Sequence, residues 1–461
     1  MARLTTPVVG AIRRIYRWDH KMDPRIAWLS PMPPARSGVA TYSRAVLEGL
    51  ERIGYTPAKH KIQPYWPIKH KHWATVPWHT MAVYHLGNNL EFHGDIYDLA
   101  IRTPGLLVIH DLALDDFVMG MVATAQPFGH QAMREGLLLA PRLHGFEEAE
   151  RNDPLRVPYV AHAARNARGI VVHSPFAERY LRAFGCKTPI YVAPHPVVES
   201  EPHVRKAEGA ARVIRGSLES MGMRTLVGVY GDQNAAKLID VVVEAMVHLP
   251  QDVHLALVGR RIPGYDVEPL VRGSGLGARV SIHTDVSDED FLAWMCASDV
   301  SVDLRYPHRG EVSGSLARSM QCGRPTVVSA TGTYLDLPED AVVRVPAGRL
   351  EPHELAATLR ALIDDPERRR RIGDAARAHT SDLASSEATA HVYAEAMDAT
   401  MRLLWDPARR ALARWGGALV DLGITEEGLA EGYGMSYARA LDEFTPPHEV
   451  RVLPESVEKA R

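Results

Sequence analysis

Short apolar runs rich in β-branched residues alternate with segments of helical periodicity along most of this 461-residue chain. The intervening segments, such as LIDVVVEAMVHL, repeat apolar residues every three or four positions. Alternation of strands with helices predicts βαβ units, in which a parallel sheet is covered by helices on both faces. The predicted strands lie at 25–30, 81–87, 105–111, 168–174, 189–194, 225–231, 253–259, 279–284, 300–305, 326–330 and 341–346.

The pattern occurs twice, which predicts an α/β protein of two doubly wound parallel-sheet domains that face each other across a cleft. Ligands of such sheets bind at the carboxyl ends of the strands. The stretch 115–153 reads as a mostly helical insertion. The boundaries that we predict are an N-terminal extension at 1–24, a first domain at 25–195, a linker at 196–222, a second domain at 223–384, and a crossover helix with a helical tail at 385–461.

Composition adds few constraints. Apolar residues make up 46% and charged residues 24%, the net charge is −3, and no run of about 18 apolar residues is present. These values give no reason to expect a nucleic-acid partner or a membrane-spanning helix. The three cysteines, Cys186, Cys296 and Cys322, lie far apart in sequence and form no metal or redox motif, which indicates a reducing compartment. We therefore predict a cytoplasmic protein.

Both ends of the chain leave alternatives open. The cationic segment 1–24 is expected to be a disordered leader, with contact to the inner face of an anionic membrane as the alternative. Met22 is a second candidate for the start of the chain. The tail after about residue 405 packs on the body of the protein or mediates a homodimer; the sequence does not decide.

A polar segment with several candidate binding residues follows the predicted strand at 300–305. Glu311 stands just before Ser313 and Gly314, which open a predicted helix. The first turn of a helix offers free backbone N–H groups and a positive dipole end, so it can bind an anion. A carboxylate beside an anion site suits a ligand that carries both phosphates and hydroxyls. A nucleotide sugar is such a ligand.

Several motifs in order resemble the family-4 retaining glycosyltransferases of the GT-B fold, over residues 25–400. They are the loop MPPARSG before VATYSRAVLEGL, the strand end VIHD, HSPFAERYLRAFG before APHP, YGDQNAAKLIDVVVEAM, VSDEDFLAWMCASDV and GEVSGSLARSMQCGRPTVVS. The segments YHLGNN, VIHDLALDDF and LRYPHRGEVSG are also similar to a bacterial subgroup involved in surface-polysaccharide assembly.

The resemblance implies catalytic roles for two residues. Glu311 matches the first glutamate of the family's paired-glutamate motif and would face the donor sugar. His110 matches a histidine at a strand end that hydrogen-bonds the donor sugar, and Asp111 would orient it or cap the next helix. The alternatives are a helix-capping acid for Glu311 and a core histidine for His110.

The resemblance also implies a site for the donor diphosphate. Lys237 matches the lysine that pairs with the diphosphate; otherwise it is a solvated surface lysine. Arg305 would assist it or pair with an acid at its own strand end. Two further groups would complete the site: the backbone N–H groups at the start of the helix after Glu311, and the loop before the first predicted helix. The residues concerned are Gly38, Ser313, Gly314 and Ser315. Plain turn and N-cap roles are the alternatives for them.

The chain departs from the family pattern at two positions. Ser319 stands where the second glutamate would hold the ribose hydroxyls, so any ribose contact there would be a single hydrogen bond. Asp232 stands where a second cation would lie near Lys237. The four histidines His60, His70, His72 and His79 lie in a segment that reads as an irregular loop, so a metal site there is not expected; its aromatic residues could contact an acceptor.

The implied reaction is transfer of a sugar from a nucleotide-diphosphate sugar to a hydroxyl of a saccharide or lipid-linked saccharide, with retention by front-face attack. No Asp-x-Asp metal motif flanks the proposed site, so we expect no metal and no cofactor. Two alternatives remain: a catalytically degenerate GT-B protein that binds sugar nucleotide or acts as an assembly partner, and a sugar-nucleotide epimerase or phosphorylase on the same fold.

Overall fold

The computed structural model describes residues 25–35, 37–55, 61–69, 76, 81–147, 153–196, 201–383 and 385–421. Within these residues the chain forms two six-stranded parallel sheets, one in each half. Helices cover both faces of each sheet, so the predicted α/β class and the two doubly wound domains are confirmed. The N-terminal segment 1–24, the tail from 422 and the four histidines of the 60–79 segment lie outside the described residues.

The N-terminal sheet has the strand order β2-β1-β3-β4-β5-β6. Its central strands are apolar except for His85 and are buried on both faces, as is typical of parallel sheets. The strands are β1 (Arg25–Leu29), β2 (Lys61–Tyr65), β3 (Met81–Leu86), β4 (Leu106–Ile109), β5 (Gly169–Val172) and β6 (Ile190–Val192), and the helices are α1 (Gly38–Arg52), α2 (Leu90–Arg102), α3 (Asp115–Ala123), α4 (Gly129–Leu139), α5 (Ala161–Asn166) and α6 (Pro175–Ala183).

Strand β2 differs from the sequence-based expectation of an irregular loop near residue 60. It pairs in parallel with β1, from Lys61 beside Arg25 to Tyr65 beside Leu29. Pro64 lacks a backbone donor and the flanking residues are polar, so the run carries no strand pattern. An edge strand tolerates both features, because only one of its sides is hydrogen-bonded.

The C-terminal sheet has the order β12-β11-β10-β7-β8-β9. Its strands β7, β8, β10 and β11 are almost wholly buried, and all six lie within or at the bounds of the predicted runs. The strands are β7 (Thr225–Tyr230), β8 (Val253–Val258), β9 (Val280–His283), β10 (Val300–Asp303), β11 (Thr326–Ser329) and β12 (Val343–Val345), and the helices are α7 (Glu201–Ser220), α8 (Ile239–Ala245), α9 (Glu268–Ser274), α10 (Asp288–Ala297), α11 (Gly314–Gln321), α12 (Pro352–Ile363), α13 (Pro366–Leu383) and α14 (Ser386–Asp421).

The segment predicted as a linker, 196–222, is mostly helical. Helix α7 buries Val204, Ala207, Ala211 and Leu218 in one apolar cluster with α10. These residues recur at three-, four- and seven-residue intervals, which places them on one helical face. The linker prediction missed this face because charged residues separate its apolar positions. Residues 201–220 therefore belong to the C-terminal domain.

Helix α14 returns the chain to the N-terminal domain, as the predicted crossover helix does. Its residues Tyr393 and Met397 are fully buried against Trp28 and Tyr42 of that domain. The hydroxyl groups of Tyr42 and Tyr393 are 2.8 Å apart. The helix therefore packs on the N-terminal domain although it follows the C-terminal domain in the chain.

The cysteines are not all separate in space. Cys186 is buried in the N-terminal domain, but the Sγ atoms of Cys296 and Cys322 lie 3.3 Å apart. The sequence spacing does not show this contact, because two helices bring together residues that are distant in the chain. Among the described helices, none combines the length and the apolar character needed to cross a membrane.

Candidate active site

A cleft of about 1230 Å³ lies between the two domains, at the carboxyl ends of both sheets. Its walls are the loops that follow β4, β7, β8 and β10 and the first turns of α1 and α11. It brings together most residues that the sequence singled out, and those that line it are Gly38, His110, Asp111, Lys237, Arg305, Glu311, Ser313, Gly314 and Ser315.

Two helix N-termini point into this cleft, one from each domain. Ser37 caps α1 by accepting a hydrogen bond from the backbone N–H of Val39, 3.2 Å away. Ser313 caps α11 in the same way, accepting from Leu316. The capping roles considered for these serines are thus present, and the remaining first-turn N–H groups with their positive dipole ends face the cleft.

Lys237 lies on the short turn between β7 and α8, and only 3% of it is exposed. Its Nζ donates to the carbonyl oxygen of Tyr230 at 2.6 Å and to Oδ1 of Asp303 at 2.9 Å. Burial, followed by the nearby Arg305 charge, lowers the pKa of Lys237 to about 8, although Asp303 opposes this shift. The alternative of a solvated surface lysine is therefore wrong.

Asp303, which the sequence analysis did not select, is the centre of a buried charge network. Besides Lys237 it accepts from Nη1 of Arg305 at 3.2 Å and from the hydroxyl of Tyr334 at 3.1 Å. Burial alone would raise the pKa of Asp303, but Arg305 and Lys237 hold it well below its usual range. An aspartate that ends an otherwise apolar strand was the available sequence signal.

Arg305 connects this network to Glu311. Its Nε donates to Oε1 of Glu311 at 3.2 Å, and the backbone N–H of Arg309 donates to Oε2 at 2.8 Å. Burial would raise the pKa of Glu311, but His308 and Arg305 together keep it below its ordinary value. Arg305 thus pairs with acids near its strand end and lines the cleft as well, so both roles considered for it coexist.

The N-terminal wall of the cleft is a cluster of aromatic and imidazole rings. The ring of Tyr42 lies 4.9 Å from that of His110 and 5.2 Å from that of His195, centroid to centroid. Nε2 of His110 is 3.0 Å from Nδ1 of His85. Burial, followed by the charges of neighbouring histidines, lowers the pKa of His110 well below its ordinary value, so the ring is neutral at pH 7.

Neutrality extends through this cluster. Burial lowers the pKa of His173 to about 3 and those of His93 and His195 to about 4. Although several imidazoles meet here, no group of three or more His, Cys, Asp or Glu side chains in the described part of the chain has an arrangement suited to a metal ion. The cluster therefore offers neutral hydrogen-bonding groups to the cleft.

Asp111 lies deep in the cleft beside this cluster. Its Oδ2 accepts from the backbone N–H of Asn88 at 2.8 Å. Burial, followed by the negative charge of Glu311, raises the pKa of Asp111 to about 7. Nε2 of His110 is within hydrogen-bond distance of His85, and the helix after Asp111 has no side-chain cap. Neither role predicted for Asp111 is therefore among its direct hydrogen bonds in the described part of the chain.

The two departures from the family pattern have structural consequences. Ser319 is 2% exposed on the inner face of α11 and is not among the residues that line the cleft, and the ribose contact there stays a prediction. Asp232 lines the cleft and accepts from Nε and Nη2 of Arg260, at 2.7 and 2.6 Å. Arg260 and Arg318, both lining residues, were missed: Arg260 lies in no motif that the sequence analysis used, and Arg318 lies within the motif GEVSGSLARSMQCGRPTVVS but was given no role.

The loop before α11 also joins the two domains. The backbone N–H groups of Leu112 and Ala113 both donate to the carbonyl oxygen of Arg309, at 3.0 Å. The guanidinium of Arg309 lies 3.3 Å from Asp115 and 3.1 Å from Asp116, in the first turn of α3. These contacts therefore fix the position of Glu311 relative to the loop that carries His110 and Asp111.

Comparison with known proteins adds to this geometry. Residues 212–379 match the family described as glycosyl transferases group 1. A D-inositol 3-phosphate glycosyltransferase from Xylanimonas cellulosilytica is 30% identical over 232 residues, which are 48% of this chain and 55% of the relative. The match thus spans about half the length of the curated relative.

Solved structures extend the similarity to both domains. Sucrose-phosphate synthase from Thermosynechococcus elongatus superposes with a TM-score of 0.55 and 20% identity, covering 81% of this chain and 98% of that one. HepE from Anabaena, in complex with UDP and glucose, superposes with a TM-score of 0.56 and 16% identity, covering 81% and 99%. The chain has the GT-B fold. The cleft lies between the two domains of this fold.

Proposed function

We propose that this protein is a glycosyltransferase that moves a sugar from a nucleoside-diphosphate sugar to an acceptor hydroxyl. The observation that carries the proposal is the juxtaposition, in one interdomain cleft, of Lys237, Arg305, the N-terminus of α11, Glu311 and His110. The group 1 match over 212–379 and the UDP bound to HepE support the same reading. We place the protein in family 4, on the motifs that its sequence shares with that family.

The diphosphate would bind on the C-terminal wall. Lys237 and Arg305 supply two buried cations there, while Asp303 neutralises one charge and holds both side chains toward the cleft. The first-turn N–H groups of α11 supply neutral donors with a favourable dipole. Arg305, in the loop after β10, would take the place of the second cation that Asp232 does not provide in the loop after β7. This positive charge is our reason for proposing a reaction that needs no metal.

The sugar would lie between Glu311 and the neutral His110. A carboxylate can accept hydrogen bonds from sugar hydroxyls and stabilise positive charge that develops at the anomeric carbon. A neutral imidazole offers one donor and one acceptor. Because the wall holds the carboxylate in place through Arg305 and the Arg309 N–H, little reorganisation is required during the reaction.

We propose a retaining, front-face mechanism. The bond between the anomeric carbon and the distal phosphate oxygen breaks, and the acceptor oxygen bonds to that carbon on the same face. The departing phosphate oxygen takes the proton of the acceptor hydroxyl. Lys237, Arg305 and the start of α11 would stabilise the negative charge that develops on the leaving group.

The acceptor is proposed from sequence similarity alone. The resemblance to the surface-polysaccharide subgroup supports a saccharide or lipid-linked saccharide acceptor used by a cytoplasmic protein that rests on the membrane surface. The inositol phosphate named for the curated relative makes a small phosphorylated polyol the second acceptor to test. One observation favours a non-catalytic sugar-nucleotide binder instead: Ser319 does not reach the cleft, and Asp232 is engaged by Arg260.

The first test is thermal-shift binding of UDP, GDP, ADP, TDP and CDP to wild type, Lys237→Ala and Lys206→Ala. Lys206 is the matched control, because it forms an exposed ion pair with Glu289 away from the cleft. At 100 times Kd one nucleotide should add about 2.7 kcal/mol of stability to wild type and to Lys206→Ala. Lys237→Ala should lose most of that gain.

Donor turnover then separates the two candidate functions. Glu311→Gln should bind the preferred nucleotide but lose transfer or donor hydrolysis by roughly 100-fold or more. Glu339→Gln, an exposed carboxylate outside the cleft, should leave turnover unchanged. If wild type binds a nucleotide but turns over no sugar donor, the non-catalytic binder is the better description; if no nucleotide stabilises it at millimolar concentration, the proposed function is wrong.

A further inference from the structure

Two buried thiols are in contact inside the C-terminal domain. The Sγ atoms of Cys296 and Cys322 are 3.3 Å apart, and the two residues are 8% and 0% exposed. Cys296 lies in the last turn of α10, and Cys322 caps the C-terminus of α11. A disulfide bond is about 2.05 Å long, so an approach of roughly 1.2 Å would join the sulfurs.

Two guanidinium groups and one carboxylate, that of Glu208, lie near the pair. Nε of Arg324 and Nη2 of Arg377 both donate to the carbonyl oxygen of Cys322, at 2.9 and 3.0 Å. Guanidinium groups near a thiol favour the thiolate, which is the form that reacts with oxidants. The Cys322 thiol and these arginines lower the pKa of Cys296, although burial and the charge of Glu208 oppose the shift. Cys296 is also the more exposed of the two, so it is the one that an oxidant reaches first.

A disulfide bond between Cys296 and Cys322 would close a loop that contains several parts of the proposed active site. Residues 296–322 contain β10, Arg305, Glu311 and the whole of α11. Helix α10 contributes Asp288 and Phe291 to the cleft, and α11 contributes its N-terminus. The disulfide would link the far ends of these two helices, so it would fix the spacing of two elements of the cleft wall without touching the cleft itself.

We propose that Cys296 and Cys322 are a modification site that forms a reversible disulfide in response to hydrogen peroxide or a similar small peroxide. The Cys296 thiolate attacks a peroxide oxygen, the O–O bond breaks, and a sulfenic acid forms while the leaving hydroxide takes a proton to become water. The Cys322 sulfur then attacks the sulfenic sulfur; the S–S bond forms, and the S–O bond breaks to release a second water. Two thiols are oxidised to one disulfide, and one peroxide is reduced to two waters.

Reversal needs a thiol reductant, which attacks one sulfur to give a mixed disulfide and is then displaced as its own disulfide by a second reductant thiol. This site is independent of the proposed glycosyl transfer, because it involves no substrate. A small peroxide suits the buried position better than a bulky disulfide oxidant does. Cys186, buried in the other domain and without a partner thiol at contact distance, is the internal control.

The test uses the full chain, reduced and then exposed to hydrogen peroxide before denaturation and alkylation. Mass spectrometry should show a loss of two mass units, two fewer alkylated cysteines, a cross-linked pair of peptides holding Cys296 and Cys322, and an alkylated Cys186. The melting temperature should rise by roughly 5–10 °C, because a closed loop of this size constrains the unfolded chain. Dithiothreitol should reverse both changes.

Variants check that the pair is responsible. Cys186→Ser should keep the peroxide-induced rise in melting temperature, and Cys322→Ala should abolish it. Three fully alkylated cysteines in peroxide-treated wild type would overturn the proposal, as would sulfinic acid at Cys296 with no cross-link. These readouts come from wild type, so they decide the matter even if Cys322→Ala fails to fold.

Discussion

The two walls of the cleft are built from different chemistry. The C-terminal wall is a buried network of full charges, in which Lys237 and Arg305 surround Asp303 and Arg305 reaches Glu311. The N-terminal wall is made of neutral rings, with His110 packed among Tyr42, His85 and His173. In the proposed function the charged wall holds the diphosphate, and the neutral wall contacts the sugar without attracting its phosphates.

The difference follows from burial. A buried imidazole without a carboxylate partner loses its charge, whereas buried acids and bases that face one another keep theirs. Burial therefore lowers the pKa of the histidines on one wall, while mutual pairing keeps the pKa of Asp303 low on the other. A variant that removes a charge should therefore change stability or nucleotide affinity, whereas a variant that removes a ring should change sugar transfer.

The largest effect is expected at the centre of the charged wall. Asp303→Asn leaves Lys237 and Arg305 buried without their shared carboxylate, so it should cost about 3 kcal/mol of unfolding free energy. UDP should then raise the melting temperature of the variant more than that of wild type, because its diphosphate replaces the missing charge. Asp364→Asn, which removes an exposed ion pair with Arg360, should cost less than about 0.5 kcal/mol. Equal stability of the two variants would mean that the network contributes nothing.

A smaller effect on a different quantity is expected on the neutral wall. His110→Ala removes a hydrogen-bonding ring from the sugar side, so sugar transfer should fall roughly tenfold while the Kd of UDP changes less than about twofold. The comparison variant is His162→Ala, which loses a buried histidine of the same domain that is bonded to Tyr97 and is not in the cleft. If both variants retain full transfer per folded molecule, His110 has no role in the reaction.

The smallest expected effect is a pH dependence of UDP binding that arises on the charged wall, about twofold at pH 8. Lys237 binds the diphosphate in its protonated form, and its pKa of about 8 means that half of the free protein has lost this proton near that pH. The affinity for UDP should therefore fall as the pH rises through about 8, at most tenfold per pH unit. The histidines are already neutral there and should add nothing, and Asp111, with a pKa of about 7, is mostly ionised over the same range. Titration calorimetry of wild type and Lys237→Met checks this: the variant should bind weakly at every pH, and a wild-type Kd that is flat to pH 9.5 would contradict the role of Lys237.

Much of the fold was predictable because parallel strands buried on both faces are read directly as apolar runs. The exceptions have local causes. β2 is an edge strand that contains a proline and polar residues. In α7, charged residues separate the apolar positions along the sequence. Neither element shows the continuous pattern on which the prediction depends.

The sequence by itself determined the α/β class and the two domains, because periodicity is a local property of the chain. It also indicated the motif residues that line the cleft, through their resemblance to a known family. Tertiary structure alone decided that Asp303 meets Lys237 across 66 positions, that His110 joins a neutral cluster, that Ser319 faces inward, and that Cys296 reaches Cys322. These contacts depend on strand order and on how helices cross, which place distant residues side by side. The charge state of each group then follows from its burial and its partners.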